Sequence, residues 1–468
     1  MPDPARAETP RPGVAVDDSF ARPAVSYYRW VICGLLFFST TVNYMDRQVI
    51  SYLKEFFCTS VANGGFGWTN SQFSYVTAFF TGFYAGMTIL VGWFIDKIGT
   101  KLGLALSLII WSVFGMINAF AGKLVTMHVA VRSGFAIGEA GNFPASIKTV
   151  AEWFPKRERA LATGIFNSGS NFGAMISALF VPWCLIHFGD QEGWKMAYIL
   201  TGAIGFLWLI LWFWLYETPM RQKRLSKAEH DYINSDEQAK TASEAATDAA
   251  KVPWLRLLKY RQTWAFFFGK FLTDGVWWFY LFWLPDYLKK QFGMTKHQVM
   301  LPTFIVYGVA IIGSVYGGSI PMTFMKRGMA VYRARMTAML LIAIFPLTVL
   351  ATQYFGNVSH FGTLAPILAI SIICVGAAAH QAWSANLFTT VSDMFPKKAV
   401  ASVTGIGAMA GGVGGVMVQL LAGVLTDAYE AAPQTAYLIM FVLCAVSYLA
   451  AWGLMKAFVP QHKPITDL

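Results

Sequence analysis

The chain has 468 residues, of which 56% are hydrophobic, 16% aromatic and only 13% charged, whereas a soluble protein is about a quarter charged. Its apolar residues gather in stretches of about 20, enough to span ~30 Å of hydrocarbon, which excludes a soluble enzyme. Five scattered cysteines, Cys33, Cys58, Cys184, Cys374 and Cys444, exclude a secreted disulfide scaffold and read as small core residues.

Residues 1–29 are rich in Pro, Ala, Arg and Asp, lack the apolar core of a signal peptide, and read as a disordered cytoplasmic tail. Twelve candidate membrane spans follow. Six, at about 30–51, 70–94, 103–121, 125–150, 160–185 and 195–216, make a first bundle over residues 30–217. A polar cytoplasmic linker, 218–259, has a Thr241–Ala250 stretch with helical composition. Six more, at about 260–284, 298–323, 333–353, 363–391, 400–426 and 435–457, make a second bundle over 260–458, before a tail at 459–468. The expected fold class is an all-α membrane protein of two six-helix bundles.

The net charge of +11 is a topology signal, not a sign of nucleic-acid binding. With the N-terminus inside, 27 of the 36 Lys and Arg fall on that side. Six (Lys54, Lys123, Lys195, Lys289, Lys290, Lys296) fall on the other, and three (Arg47, Arg132, Lys270) lie within spans. Both termini are therefore expected in the cytoplasm.

The halves repeat. Thr149-Val150-Ala151-Glu152-Trp153-Phe154-Pro155-Lys156 recurs as Thr390-Val391-Ser392-Asp393-Met394-Phe395-Pro396-Lys397, and the same offset carries Ala160, Thr163 and Gly164 onto Ala401, Thr404 and Gly405. Each copy joins the fourth span of its half to the fifth. Two parallel repeats are an arrangement used by secondary transporters.

An ionisable residue in mid-span costs about 2.5–3.5 kcal/mol on insertion scales, which makes each one a functional candidate. The first span carries Asn43, Tyr44, Asp46 and Arg47; the fourth carries Arg132 and Glu139. Arg132 and Glu139 are two helical turns apart and share a face. Arginine suits a permanent anion anchor, and a carboxyl beside it suits a proton carrier whose charge changes with access. The competing reading is a buried pair that only holds helices together. Asp46 and Arg47 diverge by about 100°, so Arg47 joins Asn43 and Tyr44 while Asp46 needs a partner elsewhere, as a second proton site or a packing bridge.

Lys270 and Asp274, four apart on the seventh span, pair within their helix and are left out of the core site. His380 falls where the repeat places Glu139, and Gln381, Ser384 and Asn386 follow on the same span. Tyr75, Phe79, Tyr84, Trp277, Trp278 and Tyr280 offer ring faces for a sugar-like ligand, with packing as the alternative. Ser168 to Asn171, including Ser170, and Gly405 to Gly415 permit close helix approach. No phosphate loop, HExxH helix or Cys/His cluster is present, so no cofactor or metal is expected and an ATP-driven pump is disfavoured.

Gly92-Trp93-Phe94-Ile95-Asp96-Lys97-Ile98-Gly99-Thr100-Lys101 resembles the major facilitator signature between the second and third spans. The resemblance implies a gating role for Gly92, Asp96, Lys97 and Gly99. The second half keeps only Gly317-Gly318 and Lys326-Arg327-Gly328, without the acid. Asn43 to Arg47, Arg132 through Gly138-Glu139-Ala140 to Phe143-Pro144, and Trp153 to Ala160 resemble the anion:cation symporter family. Ala379 to Phe388, followed by Met394 to Lys398, is similar to that family's hexuronate branch, whose members take up galacturonate and glucuronate.

The resemblance implies proton sites at Asp46 and Glu139 and anion contacts from Arg47 and Arg132. Asn43, Tyr44, Tyr75, Ser170, His380, Gln381, Ser384 and Asn386 would complete the substrate site. Ser170 and Ala408 stand where the galactonate branch carries glutamine and asparagine, which favours a substrate whose hydroxyls are read elsewhere. The implied partners are a small organic anion, protons and the bilayer of a bacterial inner membrane, and a monomer is compatible with them. Other organic anions and sodium coupling stay as alternatives; a channel, a sensor or a membrane enzyme is disfavoured.

Overall fold

A computed structural model of the chain describes residues 27–234, 254–461 and 465, so most of both tails and the Thr241–Ala250 stretch lie outside the described residues. Those residues form helices and turns, with no strand among them. In lipid this is expected, since a helix satisfies its own backbone hydrogen bonds.

The first half holds α1 (Tyr28–Cys58), α2 (Asn70–Ile98), α3 (Thr100–Ile117), α4 (Val125–Glu139), α5 (Asn142–Trp153) and α6 (Lys156–Leu215). Two short linker helices follow, α7 (Lys227–Ile233) and α8 (Trp254–Leu257). The second half holds α9 (Arg261–Phe292), α10 (Lys296–Gly317), α11 (Ile320–Lys326), α12 (Val331–Ile344), α13 (Thr352–Phe355), α14 (Val358–Phe361), α15 (Ala365–Met394), α16 (Lys397–Ala428) and α17 (Pro433–Phe458).

Eight helical stretches among the described residues are long and apolar enough to cross a membrane. One of them, Leu161–Leu215, is broken at Gly189 (φ 70°, ψ 166°), between the fifth and sixth predicted spans. Two of the other predicted spans are long but charged. Helix α1 carries Arg29, Asp46, Arg47, Lys54 and Glu55, and α9 carries Lys270, Asp274, Asp286, Lys289 and Lys290.

The fourth predicted span, expected as one helix over 125–150, divides at Ala140–Gly141 into α4 and α5. A Cβ at Gly141 would lie 2.0 Å from Ser107 Oγ on α3, and Pro144 has no N–H for the i−4 bond. The break follows the Glu139 turn immediately.

Local signals set the remaining ends. Capping boxes open α2 (Thr69 with Gln72) and α10 (Thr295 with Gln298), and left-handed Gly293 closes α9. The sequence repeat reappears in the backbone: Pro155 and Pro396 cap α6 and α16, and the Phe154 and Phe395 amides donate to Val150 and Val391 at 3.0 and 2.9 Å.

The linker begins as ordered structure. Ser226 caps α7, and buried Glu229 accepts the Tyr28 and Arg29 amides of α1 at 3.0 and 3.1 Å and Arg29 Nη1 at 2.9 Å. An acid at a helix N-terminus complements both its free N–H groups and its dipole.

Helix α1 packs chiefly on α6, and α3 on α4 and α6; in the second half, α9 packs on α16 and α17, and α10 on α15. The halves meet through α2 with α16, α6 with α10, and α1 with α9. Glycines permit the closest approaches, as at Gly173, where a Cβ would lie 2.3 Å from the Thr41 carbonyl.

Candidate functional site: a buried charge cluster between the halves

The break after α4 leaves Glu139 on its last turn, pointing at α1. Arg47 Nε donates to Glu139 Oε1 at 2.9 Å, with the two side chains 2% and 0% exposed. Arg132, two turns before Glu139, is also buried and donates Nη2 to the Arg47 carbonyl at 3.2 Å. Arg47 Nη2, Arg132 Nε and Nη1, and Glu139 Oε2 have no hydrogen-bond partner. Most buried polar groups are hydrogen-bonded, so this concentration of unused donors and an acceptor marks a site built for further partners.

Aromatic rings wall the guanidinium groups. Arg47 lies 4.2 Å from the Tyr44 ring centroid, 4.5 Å from Tyr84, 5.2 Å from Trp278 and 5.6 Å from Phe80. Arg132 lies 4.8 Å from both Phe80 and Phe135. In a desolvated setting each such contact is worth up to about 2 kcal/mol, which keeps the charge in place while leaving N–H donors unused. Trp278 comes from the second half, so the cluster lies where the two halves face each other.

Asp46 diverges from Arg47 as the helix geometry requires. It lies against Trp111 on α3 and Thr201 on α6, is 2% exposed, and among the described residues makes no ion pair within 4.0 Å. Asn43 is buried with an unpartnered Nδ2, and Tyr44 is half-buried. Ser170 bonds its own helix at Asn167, 2.7 Å, in the segment of α6 that packs on α1.

In the second half, His380 Nδ1 meets Tyr448 Oη at 2.8 Å, and the ring stacks on Trp277 at 5.0 Å and 5°. Asn386 donates to the Gly317 and Ala382 carbonyls at 2.8 and 2.9 Å, a bond set that ties α10 to α15. Gln381 and Ser384 are half-buried. Lys270 and Asp274 pair at 2.6 Å within α9, as their spacing predicted.

Tyr75 is not at the cluster. It is 48% exposed and lines an apolar groove of about 660 Å³ with Phe79, Phe83, Leu90, Val416 and Leu420. One stripe of α2 thus faces outward, and Phe80, Thr81 and Tyr84 belong to the other.

Among the signature residues, Gly99 takes φ +86° at the α2–α3 corner, Lys97 Nζ lies 3.8 Å from the Trp93 ring, and a Cβ on Gly92 would meet Pro144 at 3.7 Å. The Asp96 side chain lies outside what is described. Close by, Glu152 accepts from Thr100 Oγ1 at 2.8 Å and Tyr216 Oη at 3.0 Å; its repeat counterpart Asp393 pairs with Arg335 at 2.5 Å.

Two groups of residues escaped the sequence reading. Gln419 on α16 accepts from Thr77 at 3.2 Å and Trp283 at 2.7 Å and donates to the Trp278 carbonyl at 3.0 Å, binding α2, α9 and α16. Lys54, Lys289 and Lys296 pair with acids across the two halves, at the end away from the termini.

The arrangement gathers buried cations and carboxyls with unused donors, which suits binding and release of an anion. A family model for the Major Facilitator Superfamily matches residues 36–417. The chain is similar to the hexuronate transporter of Escherichia coli K12, at 29% identity over 94% of this chain and 96% of that one. It also resembles the D-galactonate transporter of Escherichia coli O6:H1, at 27% identity with 92% and 96% covered, and the galacturonate transporter of Dickeya chrysanthemi, at 31% identity with 64% and 83% covered. Its fold matches a bacterial homologue of the human lysosomal transporter Spinster in an inward-facing, occupied conformation (TM-score 0.68, 19% identity, 92% and 97% covered). It equally matches a D-xylose-proton symporter (TM-score 0.68, 16% identity, 94% and 100% covered). The chain belongs to the Major Facilitator Superfamily: it is an integral membrane transporter, not an enzyme.

Proposed function

We propose that the chain is a proton-coupled symporter of a bacterial inner membrane that takes up sugar acids, most specifically hexuronates such as galacturonate or glucuronate. It spans the bilayer twelve times in two six-helix bundles with cytoplasmic termini, and works by alternating access. The observation that carries this reading is the buried Arg47–Glu139 pair with Arg132 against it and donors unused on both guanidiniums.

The cycle follows from competition for arginine. Protonation of Glu139 removes the charge that holds Arg47, and a substrate carboxylate takes its place in a bidentate contact. Asp46, unpaired and buried beside the cluster, takes a second proton. Gln381 and Ser384 reach the sugar hydroxyls from the second half. Rocking of the halves exposes the site to the cytoplasm; substrate leaves, the carboxyls release their protons, and Glu139 recovers Arg47. The three relatives described above are carriers of hexuronate, galactonate and galacturonate, which supports the substrate class.

Counterflow tests the class directly. Purified protein in liposomes loaded with unlabelled galacturonate is expected to concentrate external labelled galacturonate transiently, with glucuronate competing and neutral galactose not competing. Competition by galactose equal to that by galacturonate would remove the anion site from the account.

A further inference from the structure

One charge pair of the second half has no part in the cycle above. Lys270 and Asp274 lie within the seventh predicted span, on α9, where their side chains meet at 2.6 Å and are 7% and 19% exposed. Two other helices shape the place. The Lys270 ammonium lies 4.5 Å from the Phe388 ring of α15, and a Cβ on Gly411 of α16 would lie 2.2 Å from Asp274 Oδ2. Helix α16 therefore meets the carboxylate at a residue without a side chain, which leaves the carboxylate its room.

The pair lies on the strip of α9 that faces the arginine cluster. Asp274 and Trp278 are one turn apart, and both meet α16: Asp274 at Gly411, and Trp278 at Gly415, where a Cβ would lie 2.5 Å from the indole Cδ1. Trp278 is in turn 5.2 Å from the Arg47 guanidinium. The rise from Asp274 to Trp278 is about 6 Å. Lys270 and Trp277, two turns apart, both meet α15, at Phe388 and at His380. Ser384, half-buried, is one turn from Phe388 on that helix. The pair thus stands about one turn along α9 from the ring against Arg47, on the side that carries Ser384.

A self-neutralising pair is a poor packing element, since both ions lose hydration and apolar residues of similar volume would serve as well. It is a good reader of hydroxyls. An ammonium has three N–H donors and a carboxylate about four acceptor positions, and their mutual contact uses one of each. Among the described residues neither group makes a further hydrogen bond. Neighbouring hydroxyls of a sugar offer the matching set: one accepts from the ammonium, the other donates to the carboxylate. Hydrogen bonds to ions are the strong ones. Because the pair is neutral as a whole, it does not compete with Arg47 and Arg132 for the substrate carboxylate.

We propose that Lys270 and Asp274 form a hydroxyl-reading element, which takes two neighbouring hydroxyls of the sugar acid at the end away from its carboxylate. The inference rests on the sugar-acid reading, in which the two arginines take the carboxylate. It gives the second half a charged specificity element beside Ser384.

Two competitors separate the ends of the substrate. Galacturonate and tetrahydropyran-2-carboxylate share a ring and a carboxylate, and only galacturonate has hydroxyls. The half-inhibitory concentration of each is measured against counterflow of labelled galacturonate at trace concentration. Wild-type counterflow tests the sugar-acid reading by itself, before any variant is made. Lys270→Met together with Asp274→Leu removes both charges and leaves no unpaired ion. The half-inhibitory concentration of galacturonate is then expected to rise about tenfold or more, the size of one charge-assisted hydrogen bond, while that of the hydroxyl-free acid stays within about twofold. If the double variant does not fold, Gly411→Ala, which adds no charge and sets a methyl 2.2 Å from Asp274 Oδ2, is expected to move the ratio in the same direction. An unchanged ratio in a folded variant, with both acids weakened together or neither weakened, would overturn the hydroxyl contact and leave the sugar-acid reading standing.

Discussion

Arg47 and Glu139 stand 92 residues apart in sequence and meet at 2.9 Å, both essentially closed to solvent, in a contact between α1 and the broken end of α4. A pair so buried returns little stability, because desolvation offsets most of its attraction. In the proposed cycle its value lies in competition, a proton taking the Glu139 charge and a substrate carboxylate taking its place on Arg47.

Replacing Glu139 with Gln keeps an acceptor for Arg47 Nε but removes the titrating group. The expected outcome is loss of gradient-driven accumulation, with substrate exchange retained within about threefold in the same vesicles. Loss of both activities in a folded variant would make the residue a packing element.

Arg132→Lys preserves charge and removes the planar fork whose Nε and Nη1 are unused in the structure. The half-saturation concentration for the sugar acid should rise about tenfold or more, a change of about 1.4 kcal/mol. Initial rates over a substrate series measure it.

Asn386 and its neighbours on α15 should separate. Asn386→Ala deletes the bonds to Gly317 and Ala382, so it should cost about 1–3 kcal/mol of stability and lower the melting temperature. Gln381→Ala and Ser384→Ala, changing half-buried side chains, should leave melting nearly unmoved and raise the half-saturation concentration. The reverse pattern would place the hydroxyl contacts on Asn386.

Gly173→Ala places a methyl 2.3 Å from the Thr41 carbonyl and 2.8 Å from Tyr44 Cβ. Overpacking of this kind costs about 1–3 kcal/mol, and pushing α1 also displaces Tyr44 from the Arg47 guanidinium. A lower melting temperature together with weaker substrate binding is expected.

At the terminus-bearing end, the Lys101 ammonium bonded at 2.6 Å holds the Glu217 carboxyl below its ordinary range. A depressed carboxyl contributes stability that is present above its unfolded pKa and disappears as pH falls through the folded one. Glu217→Gln should therefore lower the melting temperature slightly at neutral pH and leave it unchanged in strong acid. An equal difference at every pH would assign the effect to packing.

Much of this was legible in the sequence, for physical reasons. Apolar runs of bilayer length announce helices, and a charge inside such a run announces a candidate site, as at Arg47, Arg132, Asp46 and Glu139. The i,i+4 spacing gave the Lys270–Asp274 pair. What stayed hidden depends on partners distant in the chain. Lys54 counted only as a loop charge because its acid, Asp286, lies 232 residues on, and Gln419 reads as an isolated polar residue until α2 and α9 surround it. Tyr75 reads from the sequence as a site ring because one ring on a helix looks like another; the face it occupies is set by where α16 packs. The early part of the linker looked merely polar, yet Glu229 caps α1.

The most direct measurement is uptake of labelled galacturonate into liposomes holding the purified protein, with an inward proton gradient imposed and then collapsed by a protonophore. The account predicts accumulation above the external concentration that disappears on collapse, and none with Glu139→Gln. Accumulation that persists after collapse, or that Glu139→Gln retains, would contradict proton coupling through the Arg47–Glu139 pair.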